Sequence, residues 1–135
     1  MDQLKRIGWA AVGWGVFVDF FLTQLLQLGV SMAIGITPDT DPSLAESMIR
    51  SSGAYWPLFV MGILFTGLGG YLAGRLAGRE EVFHGTLAGF ISNILLGLLL
   101  FSASMDVLEM VGVMLAVVAG TVGGWVAGAT KKRTI

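Results

Sequence analysis

Taken one residue at a time, the chain is apolar over four long blocks, at roughly 7–34, 54–75, 83–104 and 107–129. Each is long enough for a bilayer-crossing helix, which needs about 20 residues. Taken four residues at a time, each block also carries a stripe of small or polar positions. The first reads Ala11, Gly15, Asp19, Thr23, Gln27, and the second Gly62, Thr66, Gly70, Gly74, Gly78. The third reads Gly85, Gly89, Asn93, Gly97, and the fourth Gly112, Ala116, Gly120, Gly124, Gly128. Residues four apart share a helix face. A face without bulk lets backbones approach, which is how helices associate in lipid. The pattern predicts an all-α fold: a polytopic membrane four-helix bundle, one transmembrane domain over 1–135, packed by a glycine zipper. The expected packing residues are Gly15, Gly62, Gly70, Gly74, Gly85, Gly89, Gly120, Gly124 and Gly128. Phe17, Phe20, Phe21, Leu22 and Leu25 are expected to face lipid or a partner.

The segment between the first two blocks, about 36–53, is the one substantial piece outside them. Asp41-Pro42 reads as a helix start, with Asp as N-cap and Pro at the first helical position. Leu44, Ala45, Met48 and Ile49 then share a face, predicting a short amphipathic helix on the membrane surface; a disordered linker is the alternative. Tyr55, Trp56 and Pro57 mark one interface, and Trp9, Trp14 and Trp125 the other.

The second and fourth blocks align at a shift of 54 residues, Gly69-Gly70-Tyr71-Leu72-Ala73-Gly74 on Gly123-Gly124-Trp125-Val126-Ala127-Gly128, with Arg79 on Arg133. The first and third align at a shift of 74, Ala11 on Gly85, Gly15 on Gly89 and Asp19 on Asn93. Two hairpins of equal orientation imply a parallel repeat with a pseudo-twofold axis along the membrane normal. Chance likeness among glycine-rich spans is the competing account.

Charge adds orientation. Lys5, Arg6, Arg75, Arg79, Lys131, Lys132 and Arg133 fall at one set of block ends, and Arg50 alone at the other. The positive-inside rule then predicts cytoplasmic N- and C-termini. The acidic residues Asp39, Asp41, Glu46, Asp106 and Glu109 gather on the opposite side. Asp106 and Glu109 read as a capping pair, and Glu80 and Glu81 as favourable charges at a helix start. Lys5-Arg6 before an apolar run also resembles a signal peptide, with Ser31-Met32-Ala33 as a cleavage site. The run exceeds a signal core, so we expect it to remain as the first span.

Composition excludes several classes. Of 135 residues, 55% are hydrophobic and 13% charged, too apolar for an ordinary soluble domain. There is no cysteine, so thiol chemistry is absent. A net charge of −1 argues against a nucleic-acid partner. No nucleophile–histidine–acid pattern, HExxH or phosphate loop occurs, so no catalysis and no cofactor are expected. His84, the single histidine, reads as an interfacial polar residue, and no metal site is expected.

Asp19 is the one ionisable residue deep inside a block, about 18 Å along the helix from Ile7. A lone carboxylate at that depth is costly, so it should be paired, hydrated or protonated. The expected intramembrane polar cluster is Asp19, Asn93, Thr23 and Gln27, with Gln24 and Ser92 beside it. It reads as a buried clasp fixing helix register, as a proton or cation relay, or as a contact with another subunit.

Gly69-Gly70-Tyr71-Leu72-Ala73-Gly74-Arg75, followed by His84-Gly85-Thr86-Leu87-Ala88-Gly89, resembles a loose group of small, four-span, glycine-rich bacterial and archaeal membrane proteins. The shared GGxxAGR…HGxxAG pattern covers about a quarter of the chain. The resemblance implies four spans in a prokaryotic cytoplasmic membrane and no particular activity. In size, span count and an early intramembrane acid the chain also resembles small multidrug transporters. It departs from them in using aspartate rather than glutamate and in its parallel hairpins. The expected role is therefore a structural or accessory one, in a homo-oligomer or beside other membrane subunits, with lipid as the surrounding partner. The alternative is a small proton- or cation-coupled transporter or channel built on Asp19.

Overall fold

The computed structural model describes residues 7–100 and 107–131, apart from the side chains of 96–100 and 109. Lys5, Arg6, the stretch 101–104, Asp106, Lys132 and Arg133 lie outside the described residues, as do the surroundings of Gly97 and the side chain of Glu109. The described chain is all helical: α1 (Trp9–Ala33), α2 (Pro42–Ser51), α3 (Tyr55–Ala77), α4 (Glu81–Leu100) and α5 (Val107–Lys131). The described helices number five rather than the four of a simple bundle, because the segment between the first two blocks, expected as a short helix or a linker, is helical. Of these, α1, α3 and the Met110–Lys131 part of α5 are long and apolar enough to cross a membrane.

Local chemistry sets the ends. α1 stops at Gly35, whose φ of +80° suits glycine. There the Gly35 N–H bonds the Met32 carbonyl and the Ile36 N–H the Ser31 carbonyl, at 3.2 and 2.8 Å. α2 starts where the Asp41 carboxylate accepts the Ser43 N–H at 2.9 Å, with Pro42 in the first turn. α3 ends at Gly78, again left-handed at φ +66°.

The helices form a diamond. α3 packs on α1, α4 and α5, and α4 packs on α1 and α5. The start of α1, the α3–α4 turn and the end of α5 share one end, which we call the base. The opposite half, on the α2 side, is the far half.

Packing in the base is backbone on backbone. A Cβ on Gly15 would stand 2.5 Å from the Gly69 carbonyl, and one on Gly69 2.6 Å from that of Gly15. A Cβ on Gly70 would collide with Gly120, one on Gly123 with the Gly67 carbonyl, and one on Gly124 with the Glu81 carbonyl. Gly85 meets Gly120 and Gly124, and Gly74 meets Glu81 and Ala127. Gly89 is looser, 3.3 Å from the Ala116 carbonyl. Two of the expected packing residues differ. Gly62 has nothing within 4 Å of its Cβ position, and Gly128 makes only ordinary contact with Glu81. Gly62 lies in the far half, where no described residue is buried.

Aligned glycines do not make equivalent contacts. Gly69 meets α1, its hairpin partner, while Gly123 meets α3; Gly70 meets α5, while Gly124 meets the start of α4. The inner pair of the diamond is α3 and α4, which an exchange of hairpins does not preserve.

The surface is where the bulk lies. Trp14, Phe17, Phe21, Leu25, Leu64, Phe90, Val118 and Trp125 are all exposed, while the buried apolar residues are alanines and valines.

Candidate functional site

Three helices converge on Asp19. Helical spacing from Val12, Gly15 and Val16 carries Asp19 onto the buried face of α1, and the residue is 4% exposed. Its Cβ lies 3.0 Å from where a Cβ on Gly69 would stand, so the missing side chain on α3 is what admits it. One turn further along α3, Thr66 is 6% exposed and its methyl approaches Gly89 of α4. Ser92, one turn beyond Ala88 and Gly89, is 7% exposed. The hydroxyls of Ser92, Thr66 and Thr23 lie near the Asp19 carboxyl.

One of these hydroxyls has definite bonding. Thr66 donates to the Gly62 carbonyl at 3.1 Å, which commits its proton and leaves its lone pairs open. Ser92 Oγ is buried near the Asp19 carboxyl but has no hydrogen-bond partner within 3.5 Å. A buried polar atom left in this state is uncommon and costs free energy.

The expected cluster is placed differently. Asn93 is half-buried, and its amide donates to the Gly89 carbonyl of its own helix at 2.7 Å. Ser92, one position earlier, is the α4 residue that reaches Asp19. Thr23 and Gln27 continue the Asp19 face of α1 into the far half, both half-buried. The spacing of α4 contained a signal for Ser92. Steps of four from His84 run through Ala88 to Ser92, all buried, whereas steps from Gly85 run through Gly89 to Asn93.

His84 forms a second polar point, at the base. The residue is fully buried. The Gly8 N–H donates to its Nε2 at 3.0 Å, and Nδ1 lies 3.0 Å from the Glu80 carbonyl. An N–H on Nε2 would face another N–H, so the partners fix the proton on Nδ1. The ring thereby ties the first orphan amide of α1 to the turn before α4. Glu80 takes a positive φ of 47° there. Beside it, Lys131 Nζ donates to the Gly78 carbonyl and pairs with Glu81 at 3.4 Å, closing the end of α5 on the same turn. No group of three His, Cys, Asp or Glu suited to a metal occurs among the described residues.

Compared with known proteins, the chain matches no family model, no curated protein and no solved structure. Its function must be argued from its own geometry.

The far half supplies the last element. Leu22, Leu25, Leu26, Gly29, Val30 and Ala33 of α1 line an open apolar groove with Phe65 of α3. It begins one turn beyond Asp19, so the buried polar layer sits where the packed base gives way to parted helices.

Proposed function

We propose that the chain is a small integral membrane protein in which α1, α3, α4 and α5 all cross the bilayer, with both termini cytoplasmic. Its role is structural or accessory: it forms a homo-oligomer or joins other membrane subunits, and it catalyses no reaction. At 20 residues α4 extends about 30 Å, enough for the hydrocarbon. Exposed Trp9 and Trp125 near the base and Trp56 near the far end suit two interfacial belts.

One observation carries the subunit reading: no described residue in the far half is buried. A bundle that closes at one end and leaves Leu22, Leu26 and Phe65 around an open apolar groove has an unfinished surface within the membrane. A neighbouring helix from a second copy or another subunit would complete it. A channel reading is less well supported, because beneath Asp19 the Gly15–Gly69 contact closes the base.

The test uses the absence of cysteine. Single cysteines at Leu26 or Phe65 in the full-length protein, in native membranes, should form cross-links to a neighbouring chain under mild oxidation. A cysteine at buried Ala73 should not. A protein that yields no cross-link at the groove and is purified as a lone monomer with nothing attached would overturn the reading.

A further inference from the structure

We propose that α1 carries a docking face for a second copy of this chain, on which Gln24 of one copy bonds Gln24 of the other across a twofold axis along the membrane normal. The inference rests on α1 crossing the bilayer, and it commits to a partner that the subunit reading leaves open.

Spacing defines the face. Gly13, Phe17, Phe20, Gln24, Gln27 and Ser31 follow one another at alternating steps of four and three residues. That 3.5-residue repeat holds one seam of a helix toward a parallel partner. At about 100° per residue, Gln24 stands about 140° round the helix from Asp19. The groove residues Leu22, Leu26 and Gly29 fall on the other side of Asp19, so seam and groove are separate surfaces. The seam is uncovered within one chain: Gly13 has nothing within 4 Å of its Cβ position, and Phe17 is 54% exposed.

Gln24 is the residue that calls for a partner. With 25 residues α1 is about 37 Å long, so its ends stand just outside a hydrocarbon layer about 30 Å thick. Gln24 lies about 13 Å in from Ala33, too deep for its short side chain to reach the headgroups. Its amide offers two donors and an acceptor, and none of them has a hydrogen-bond partner among the described residues. Hydrocarbon supplies no partner, so the bonds must come from another helix. Gln27, nearer Ala33, is within reach of the interface.

The amide also selects the kind of helix. It both donates and accepts, so two glutamines related by a twofold axis satisfy each other with reciprocal bonds. Copies inserted in the same sense bring α1 against α1 in parallel, and equal positions then face each other. No charged side chain occurs from Phe20 to Ala33, so this part of the face does not repel its own copy.

The experiment measures self-association of the full-length protein in lipid vesicles, by energy transfer between donor- and acceptor-labelled copies as added lipid dilutes them. Wild type should remain associated on dilution. Gln24→Leu adds only apolar surface toward lipid, so it should fold, and it should weaken association about tenfold. Gln24→Asn keeps an amide and should weaken it less. In native membranes Ser31→Cys should oxidise to a disulfide joining two copies, identified by mass. The proposal is overturned if folded wild type is monomeric, if Gln24→Leu associates as tightly as wild type, or if Ser31→Cys joins only a different protein. Failure here is distinguishable from failure of the subunit role: cross-links through cysteines at Leu26 or Phe65, with none through Ser31→Cys, leave that role standing and remove this face.

Discussion

Along α1 the residues Ala11, Val12, Gly15, Val16 and Asp19 are buried, and from Phe20 to Ala33 none is. The other long helices repeat the division. α3 buries Thr66, Gly69, Gly70, Ala73 and Gly74 but nothing between Tyr55 and Phe65. α5 buries Ala116, Gly120, Gly123, Gly124 and Ala127, all toward the base. The small stripe continues through both halves, yet it brings backbone against backbone in only one. Where glycine faces glycine, as at Gly70 and Gly120, the backbones touch. Where glycine faces bulk, as where Phe59 lies against Gly112, the helices are held apart. A stripe on one helix is therefore a permission to pack, and the partner's side chain decides whether it is used.

The sharpest way to break this comparison is to add the same bulk on each side. Gly123→Leu puts a side chain into the Gly67 carbonyl, and neither backbone can retreat without parting α3 from α5. Overpacking of this kind should cost about 3 kcal/mol or more, enough to unfold the base. Gly62→Leu enters open space and should be neutral, or stabilising by up to about 1 kcal/mol through helix propensity. Unfolding of both variants by a denaturing detergent, followed by tryptophan fluorescence, reads the difference. Equal losses would mean that the far half is closed by contacts of the same kind.

The next effect concerns polar groups. His84→Leu takes the acceptor from the half-buried Gly8 N–H and frees the Glu80 carbonyl from the ring, at a cost of about 1–3 kcal/mol. Gln27→Leu in the far half should stay within about 0.5 kcal/mol. The same unfolding curves check both, and a Gln27→Leu loss as large as that of His84→Leu would place a hidden polar contact in the far half. Smaller still is the α4–α5 pair, in which the Thr86 and Thr121 hydroxyls lie 2.9 Å apart. Each also bonds its own helix, to Val82 and Val117, so their coupling in a double-mutant cycle with valine should be about 0.6 kcal/mol. Coupling several times larger would make side-chain bonding, rather than glycine contact, the main tie between those helices.

What the sequence makes legible follows the same division. The base is written in one-dimensional spacing, because contact there depends on missing side chains and a missing side chain is visible in a sequence. The start of α2 is equally plain in Asp41-Pro42, a local signal that no distant residue can override. The parting of the far half is not, since it depends on which residue of a neighbour, such as Phe59 or Phe65, stands opposite each gap. The polar layer was half legible. Asp19 announces itself, but its α4 neighbour is chosen by helix rotation. A rotation of one residue, about 100°, exchanges Asn93 for Ser92. The burial of His84 is hidden for a related reason. Its position near a helix end reads as interfacial, yet the start of α1 folds over it and donates the Gly8 amide.

The smallest expected effect lies in α2, which borders the far half but depends on its own ends. Asp41 accepts both the hydroxyl and the N–H of Ser43, at 2.5 and 2.9 Å. The Ser43 hydroxyl chiefly, then the Ser43 and Leu44 amides, hold its carboxyl below the usual carboxylate range. Because the folded value lies below the unfolded one, the cap's contribution is complete above the ordinary carboxylate range. It is lost as the pH falls through the depressed value. The protection factors of the Ser43, Leu44 and Ala45 amides, taken relative to intrinsic exchange at each pH, should therefore fall on acidification while the base stays protected, since no α2 residue is buried against the bundle. Asp41→Asn keeps an acceptor at the N-cap and removes the titrating group, so its protection factors should be flat across the same acid range. If acid loosens α2 equally in both proteins, another group governs that helix. If it loosens the base along with α2, the two regions are more closely coupled than their packing implies.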